Sequence, residues 1–408
     1  MLEDLLEIAP KRSRLPEYDP KCNTKWHGIQ ALWYEGADYQ GKKTKVFAYI
    51  GYPEMKKGEM VPAVVLVHGG GGHAFAEWVR LWNEKGYAAI AMDITGYFPS
   101  KKWRGLVGTE GSQKTQDDPE YVHQLYDELE EEGYTVGPDN ISETKDGSLP
   151  LTEQWFYHGI ADTILAHNIL RCDERIDSKK IGIMGISWGG VITSLAIGYD
   201  NRYAFAIPVY GSAHLDCLPA PELPGIFRDP LIKKQWSAAD RLLKINFPVL
   251  WLGQVGDTNF SMRANALSYQ DTKKTGSFLS MKTEWAHSHI HAWTAPECYR
   301  FAQRVLDKKL PLIKAVTELE KKGMLSFMVQ IPEDFENVTA EIWYTTSELV
   351  YNEQNQLVNS WNIAEATIMD NRFLGFVPEN AKCYFVELKG YVDGENYIST
   401  IFWEPNER

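Results

Sequence analysis

The sequence predicts an α/β protein, a mostly parallel sheet flanked by helices, that ends in a small antiparallel β-sandwich. Three observations predict it. Between residues 63 and 92 a buried strand, a glycine-rich turn, a helix and a second buried strand follow one another, and such a unit pairs its strands in parallel with a right-handed crossover. A second strand–turn–helix passage surrounds Ser187. Beyond about residue 319 the apolar spacing changes from helical to alternating, as in TAEIWYTTS.

Residues 1–44 are polar and proline-bearing, an N-terminal extension that Trp26, Trp33 and Tyr34 would anchor to the body. Val46–Gly51 reads as a strand and Ala63–Val67 (AVVLV) as a buried one. His68 and four glycines follow, then the helical pattern Ala74–Lys85, a stop at Gly86 and the strand Tyr87–Met92. Residues 96–150 break this rhythm. Gly, Lys, Asp and Glu dominate there, with an acidic helical patch at Pro119–Glu132, and so long an irregular stretch reads as a functional insertion or lid. Thr152–Arg171 predicts a long helix with Thr152 as candidate N-cap. Strands are expected at Lys180–Gly185, Ala204–Val209, Phe247–Leu252 and Ser277–Lys282, with helices near Gly189–Gly198 and Pro296–Asp307. Five short alternating segments then run from Ser326 to Trp403, separated by Asn, Gly, Pro and Asp turns. The predicted domains are therefore the extension (1–44), an α/β domain (45–318) and a β-sandwich (319–408), divided at the charged ELEKKG.

Composition fits a folded chain: 408 residues, 44% hydrophobic and 24% charged, enough for a sizeable core. A formal net charge of −13 argues against nucleic-acid or anionic-membrane partners, which need basic patches. No apolar run approaches the ~18 residues of a spanning helix. The five cysteines (Cys22, Cys172, Cys217, Cys298, Cys383) are scattered without a CxxC, as suits thiols in a reducing compartment. Acidic residues stand where a signal peptide would be basic, so the expected location is cytoplasmic.

The chemistry centres on Gly185-Ile186-Ser187-Trp188-Gly189, followed by Gly190. A bare GxSxG is weak, but here a buried strand (IGIM) enters it and a helix (VITSLAIG) leaves it. That is the setting of a nucleophile elbow, which exposes the serine Oγ beside a helix N-terminus. An oxyanion needs two converging N–H groups. Trp188 N–H offers one, and Gly70 or Gly71 in the turn after AVVLV the other; His68 reads as a structural ring holding that turn. The glycines do not form a phosphate loop, because no Gly-Lys-Ser/Thr follows. The serine needs a base, and the base an orienting acid, each in a loop after a later strand. GQVGDTNF places Asp257 suitably, ahead of Asp216 and Asp271. TEWAHSHIHAW offers His287, His289 and His291. His287, five residues past the strand end, is favoured, with His289 second. The H-x-H-x-H run also suits a metal, but no second ligand cluster stands beside it, so neither metal nor cofactor is expected.

These segments, with VFAYIGYP, EQWFYHGIADTILAHNILR and IPVYG, resemble the acetylxylan-esterase-like and prolyl-oligopeptidase-like branch of the α/β-hydrolase superfamily over about Lys25–Pro311. The resemblance implies Ser187 as nucleophile, Asp257 as acid, His287 as base, and Gly70 on the oxyanion loop. Against the peptidases no N-terminal β-propeller is expected here, and against the secreted esterases no signal peptide is expected. The YFVELKG and ISTIFWEP strands look like the immunoglobulin-like appendage of some related hydrolases.

The expected function is a serine carboxylic ester hydrolase acting on small acyl (acetyl) esters, including those of sugars. The alternatives are a peptidase of the prolyl-oligopeptidase type and a non-catalytic binding protein. The expected partner is a small-molecule ester, and the β domain leaves room for a homo-oligomer. Tyr97, Trp103, Tyr126, Trp155, Tyr157 and His158 could wall a substrate pocket, or equally pack the insertion onto the core.

Overall fold

The computed structural model describes residues 1–20, 28–96, 129, 132–138, 149–217, 227, 230–316, 323–350, 352 and 357–405. It resolves into two compact units, residues 1–211 with 226–247, and residues 212–225 with 248–408. The division falls inside the α/β part, away from the change of pattern near residue 319. That change lies outside the described residues, as do Trp26, Cys22, Tyr97, Trp103, Tyr126 and most of the segment 96–150.

The first unit contains β1 (Arg12–Arg14), β2 (Gln30–Glu35), β3 (Lys43–Gly51), β4 (Val61–Val67), β5 (Ala88–Met92), the two-residue β6 (Tyr134–Thr135), β7 (Ile176–Ile186) and β8 (Phe205–Val209). Their order is β1-β2-β3-β5-β4-β7-β8, with β6 beside β3. β5, β4, β7 and β8 pair in parallel, and β1 to β3 continue the sheet antiparallel. The parallel strands read as unbroken apolar runs because helices cover both faces. β5 and β8 are buried at every position. The helices are α1 (Ala76–Glu84), α2 (Trp155–Arg171), α3 (Trp188–Tyr199), and the short α4 (Pro230–Trp236) and α5 (Ala239–Leu242).

α2 is buried along its whole length from Trp155 to Leu170, so its polar residues need internal partners. His167 Nδ1 lies 2.7 Å from Asp200 Oδ2, and its ring stacks on Tyr203. Asn168 donates to the carbonyls of Leu5 and Ile8, both at 2.8 Å, which pins the N-terminal segment to the helix. Thr152 is not the N-cap. Leu151–Glu153 form a separate 3-10 turn, and Gln154 occupies the cap position without a side-chain cap bond. Its amide instead accepts from Trp236 Nε1 at 2.6 Å and donates to the Leu149 carbonyl. The N-terminal extension contributes strands of its own. Tyr34 on β2 is fully buried, and its hydroxyl donates to the Asp162 carbonyl at 2.9 Å.

The second unit pairs β9 (Leu250–Gln254) and β10 (Phe278–Lys282) in parallel. It adds helices α6 (Met262–Thr272), α7 (His289–Thr294) and α8 (Pro296–Leu306). The same unit carries β11 (Lys314–Ala315), β12 (Met324–Gln330), β13 (Asn337–Thr345), β14 (Asn362–Met369), β15 (Arg372–Phe376), β16 (Cys383–Val392) and β17 (Glu395–Pro405). These form an antiparallel path β11-β12-β15-β14-β13-β16-β17. Leu325, Phe327 and Val329 of β12, Ile342 of β13, Phe373 of β15, and Val386 and Leu388 of β16 fill one core. Two hairpins close by two-residue turns, Asp370-Asn371 and Asp393-Gly394, with all four residues at positive φ. That conformation matches the strand twist and favours Asn, Asp and Gly.

Candidate active site

The candidate residues fall into two groups, Ser187 and the glycine turn in the first unit, Asp257 and His287 in the second. In the first unit β7 runs into α3 through Ser187, whose backbone sits at φ 56° and ψ −122°. Few side chains adopt such a conformation, and it persists only where the surroundings enforce it. Here they do. Ser187 N–H donates to the Val209 carbonyl at 2.7 Å, at the end of the neighbouring strand β8. A Cβ on Gly185 would lie 2.1 Å from the Gly189 carbonyl oxygen, and one on Gly189 would lie 2.0 Å from that of Val67. One on Gly190 would meet the Val209 oxygen at 2.8 Å. The glycines around the serine are thus required by backbone crowding. Trp188 opens α3, so its N–H belongs to the first turn, which has no intrahelical acceptor.

The same crowding brings the end of β4 against the elbow. Immediately after it, Gly72 N–H donates to the Gly69 carbonyl at 3.0 Å, closing a turn with Gly71 at φ 74°. Positive φ at the third turn position is what glycine supplies. Gly70 and Gly71 occupy the two central positions and are partly exposed, as are Ser187 and Trp188. His68 is buried. Its Nε2 accepts from Ile94 N–H at 3.1 Å, so the proton sits on Nδ1, which lies 2.8 Å from the Gly69 carbonyl. The ring therefore fixes the turn, as expected from the sequence.

Behind the elbow stands a set of aromatic rings. Trp155 packs edge-on against Trp188 at 5.4 Å between centroids, and its indole N–H donates to the Ile94 carbonyl at 2.6 Å. Phe156 packs against Trp188 and stacks on Trp236. The pocket expectation for Trp155 and His158 needs correction, because both are buried. Trp155 supports Trp188 from behind. His158 lies 2.9 Å from the Thr152 carbonyl through Nε2 and lines a small recess with Asp93 and Asp162. Burial lowers the His158 pKa to about 4. Burial, helped by the Asp93 charge, raises the Asp162 carboxyl well above the usual range.

In the second unit Asp257 follows β9 and His287 follows β10. The Asp257 carboxylate is 1% exposed and fully engaged. Oδ1 accepts the N–H groups of Asn259 and Phe260, both at 2.8 Å, and Oδ2 lies 2.8 Å from His287 Nδ1. Two backbone donors hold the carboxylate as an acceptor, so His287 carries its proton on Nδ1 and leaves a lone pair on Nε2. The Phe260 ring lies parallel to the imidazole at 6.1 Å. Sequence reading did not single out Phe260; its place three residues after Asp257 was the available signal.

His289 is the first residue of α7, and its ring packs toward Trp293. His291 stacks on Trp285, and its Nδ1 meets the backbone of Ala286. Of the rival acids, Asp271 lies on α6 and pairs with His214 at 2.8 Å, while Asp216 sits in a 3-10 turn. Among the described residues, no group of three His, Cys, Asp or Glu side chains could hold a metal ion, and no helix is long and apolar enough to cross a membrane.

Residues 150–217 match the prolyl oligopeptidase family. No curated protein matches the chain significantly. Among solved structures the chain is similar to acetyl xylan esterase from Paenibacillus sp. R4, at 16% identity and TM-score 0.49 over 74% of this chain and 90% of that one. Acetyl xylan esterase 1 from Thermoanaerobacterium sp. JW/SL YS485 gives 15% identity and TM-score 0.46, over 70% of this chain and 87% of that one. Pyrococcus horikoshii acylaminoacyl peptidase gives 17% identity and TM-score 0.46, over 72% of this chain. The chain spans 44% of that peptidase's length. The segment that carries Ser187 and its elbow thus matches the prolyl oligopeptidase family model, within a mostly parallel α/β sheet.

Proposed function

We propose that the chain is a serine carboxylic ester hydrolase acting on small acyl esters through an acyl-enzyme. The observation that carries this reading is the enforced backbone of Ser187 at the strand-to-helix turn. The Asp257–His287 pair supports it by supplying an oriented base.

The reading requires Ser187 Oγ to come within hydrogen-bond reach of His287 Nε2. The imidazole then takes the hydroxyl proton as Oγ bonds to the acyl carbonyl carbon. Trp188 N–H with Gly70 or Gly71 N–H stabilises the tetrahedral oxyanion, and the imidazolium returns its proton to the departing alcohol as the C–O bond breaks. Water repeats the sequence and frees the acid.

Hydrolysis of p-nitrophenyl acetate by the wild type and Ser187→Ala tests the proposal. The variant is expected to lose at least about 10³-fold in kcat. Equal turnover in the two would overturn it. Cleavage of aminoacyl p-nitroanilides in preference to esters would assign a peptidase instead.

A further inference from the structure

We infer that Thr400, Glu297 and Lys282 are positioning residues through which the β domain sets the loop carrying His287. The inference rests on His287 acting as the base.

All the parts lie in the second unit. β10 pairs with β9 along one edge, where the Lys282 carbonyl accepts from Val255 N–H at 2.9 Å. Peptide groups alternate along a strand, so the N–H of the preceding residue, Met281, points to the other edge. There it donates to Thr400 Oγ1 at 2.9 Å, across 119 positions of sequence. Thr400 belongs to β17 and is 2% exposed.

A second tie lies one residue further on. Glu297, in the first turn of α8, is fully buried. Its Oε1 receives both the Lys282 ammonium and, at 2.9 Å, the Ile398 N–H of β17. One carboxylate oxygen therefore joins the last residue of β10, helix α8 and strand β17.

The connection continues into the loop. The Lys282 ammonium lies 5.5 Å from the Trp285 ring centroid. Trp285 stacks on His291, and His291 Nδ1 lies 3.0 Å from the backbone nitrogen of Ala286, the residue before His287. Each contact fixes backbone whose displacement would move the His287 imidazole.

The chemistry of the tie supports a positional role over a purely stabilising one. A buried Lys–Glu pair repays little of its desolvation cost, and apolar residues would pack there as well. Directional bonds to Met281 N–H and Ile398 N–H do what apolar packing cannot, which is to specify one register of β17 against β10.

The test compares Thr400→Val, Thr400→Ser and Glu297→Gln with the wild type, alongside Ser187→Ala and His287→Ala. Readouts are p-nitrophenyl acetate kinetics, saturation labelling by a fluorophosphonate, and the downfield proton NMR signal of the His287–Asp257 hydrogen bond. Thr400→Val and Glu297→Gln are expected to lower kcat about ten- to a hundredfold, the scale of a misplacement of roughly 1 Å. KM should stay within about twofold and labelling should reach one serine per chain. The downfield signal should shift or broaden in Thr400→Val and return, with the rate, in Thr400→Ser. If Thr400→Val fails to fold, Glu297→Gln decides by the same readouts.

Wild-type kcat and an unmoved signal in the folded variants, with Ser187→Ala and His287→Ala inactive, would overturn the positioning role and leave the hydrolase reading standing. Activity surviving in Ser187→Ala and His287→Ala would overturn both.

Discussion

Replacing Asp257 by Asn is the sharpest probe of the acid–base half, because the structure dictates which way the new amide must face. The N–H groups of Asn259 and Phe260 both point at Oδ1, so an asparagine keeps its carbonyl oxygen there and turns its NH₂ toward His287. A donor facing Nδ1 forces the imidazole proton onto Nε2, leaving no lone pair to accept the serine proton. The variant also loses the negative charge 2.8 Å from the ring. At an effective dielectric of ~20, a charge at that distance stabilises the imidazolium by about 6 kcal/mol, which corresponds to about 10⁴-fold in kcat. The assay is p-nitrophenyl acetate turnover at neutral pH, with urea unfolding to show that the fold survives. A loss below about tenfold in a folded Asp257→Asn protein would refute the assignment of this pair as the working base.

His158 supplies a pH prediction of defined sign. Burial holds its folded pKa near 4 against an ordinary 6.5, so the unfolded chain takes up the proton first and stability falls as pH drops from 6.5 toward 4. By linkage this amounts to about 1.4 kcal/mol at pH 5.5 and about 2.5 kcal/mol at pH 4.5. His158→Gln keeps a donor for the Thr152 carbonyl and should flatten the wild-type urea-unfolding stability over that range by these amounts. His73, also buried with a pKa near 4, contributes equally to both proteins and cancels in the difference. Gly189→Ala should abolish both activity and the native fold of the elbow. Its methyl would lie 2.0 Å from the backbone oxygen of Val67 in a central strand, where overpacking costs about 3 kcal/mol or more. Recovery of soluble Gly189→Ala protein with normal melting and turnover would contradict the crowding argument.

The α/β core was readable because its signals are local. AVVLV, YAAIAM and IGIM are unbroken apolar runs, and only strands covered on both faces demand them. The elbow was readable because backbone crowding leaves glycine as the fit on either side of Ser187. Other features depend on distant partners. QALWYE gave no strand signal of its own, since β2 is fixed by pairing with β3. Thr152 looked like a cap, but Leu151–Glu153 form a 3-10 turn that leaves Gln154 at that position, its side chain engaged by Trp236 instead of capping. The aromatic residues Trp155 and His158 looked available for substrate, and only the fold shows that Ile94 and Thr152 take their polar atoms. The bond from His287 to Asp257 spans 30 residues and could be guessed from order along the chain but not measured there.

The arrangement of β10 has a consequence for how the chain must be made. Its Met281 N–H finds its acceptor on β17, a strand synthesised roughly 110 residues after β10. At a translation rate of about 5–20 residues per second, that acceptor follows on the order of ten seconds later. Until then the apolar strand FLSMK presents an open edge that neighbouring nascent chains can pair with. Shortened genes that stop before residue 395 should therefore yield protein that goes to inclusion bodies, and slowing translation over residues 283–394 should lower the soluble yield of the full-length chain.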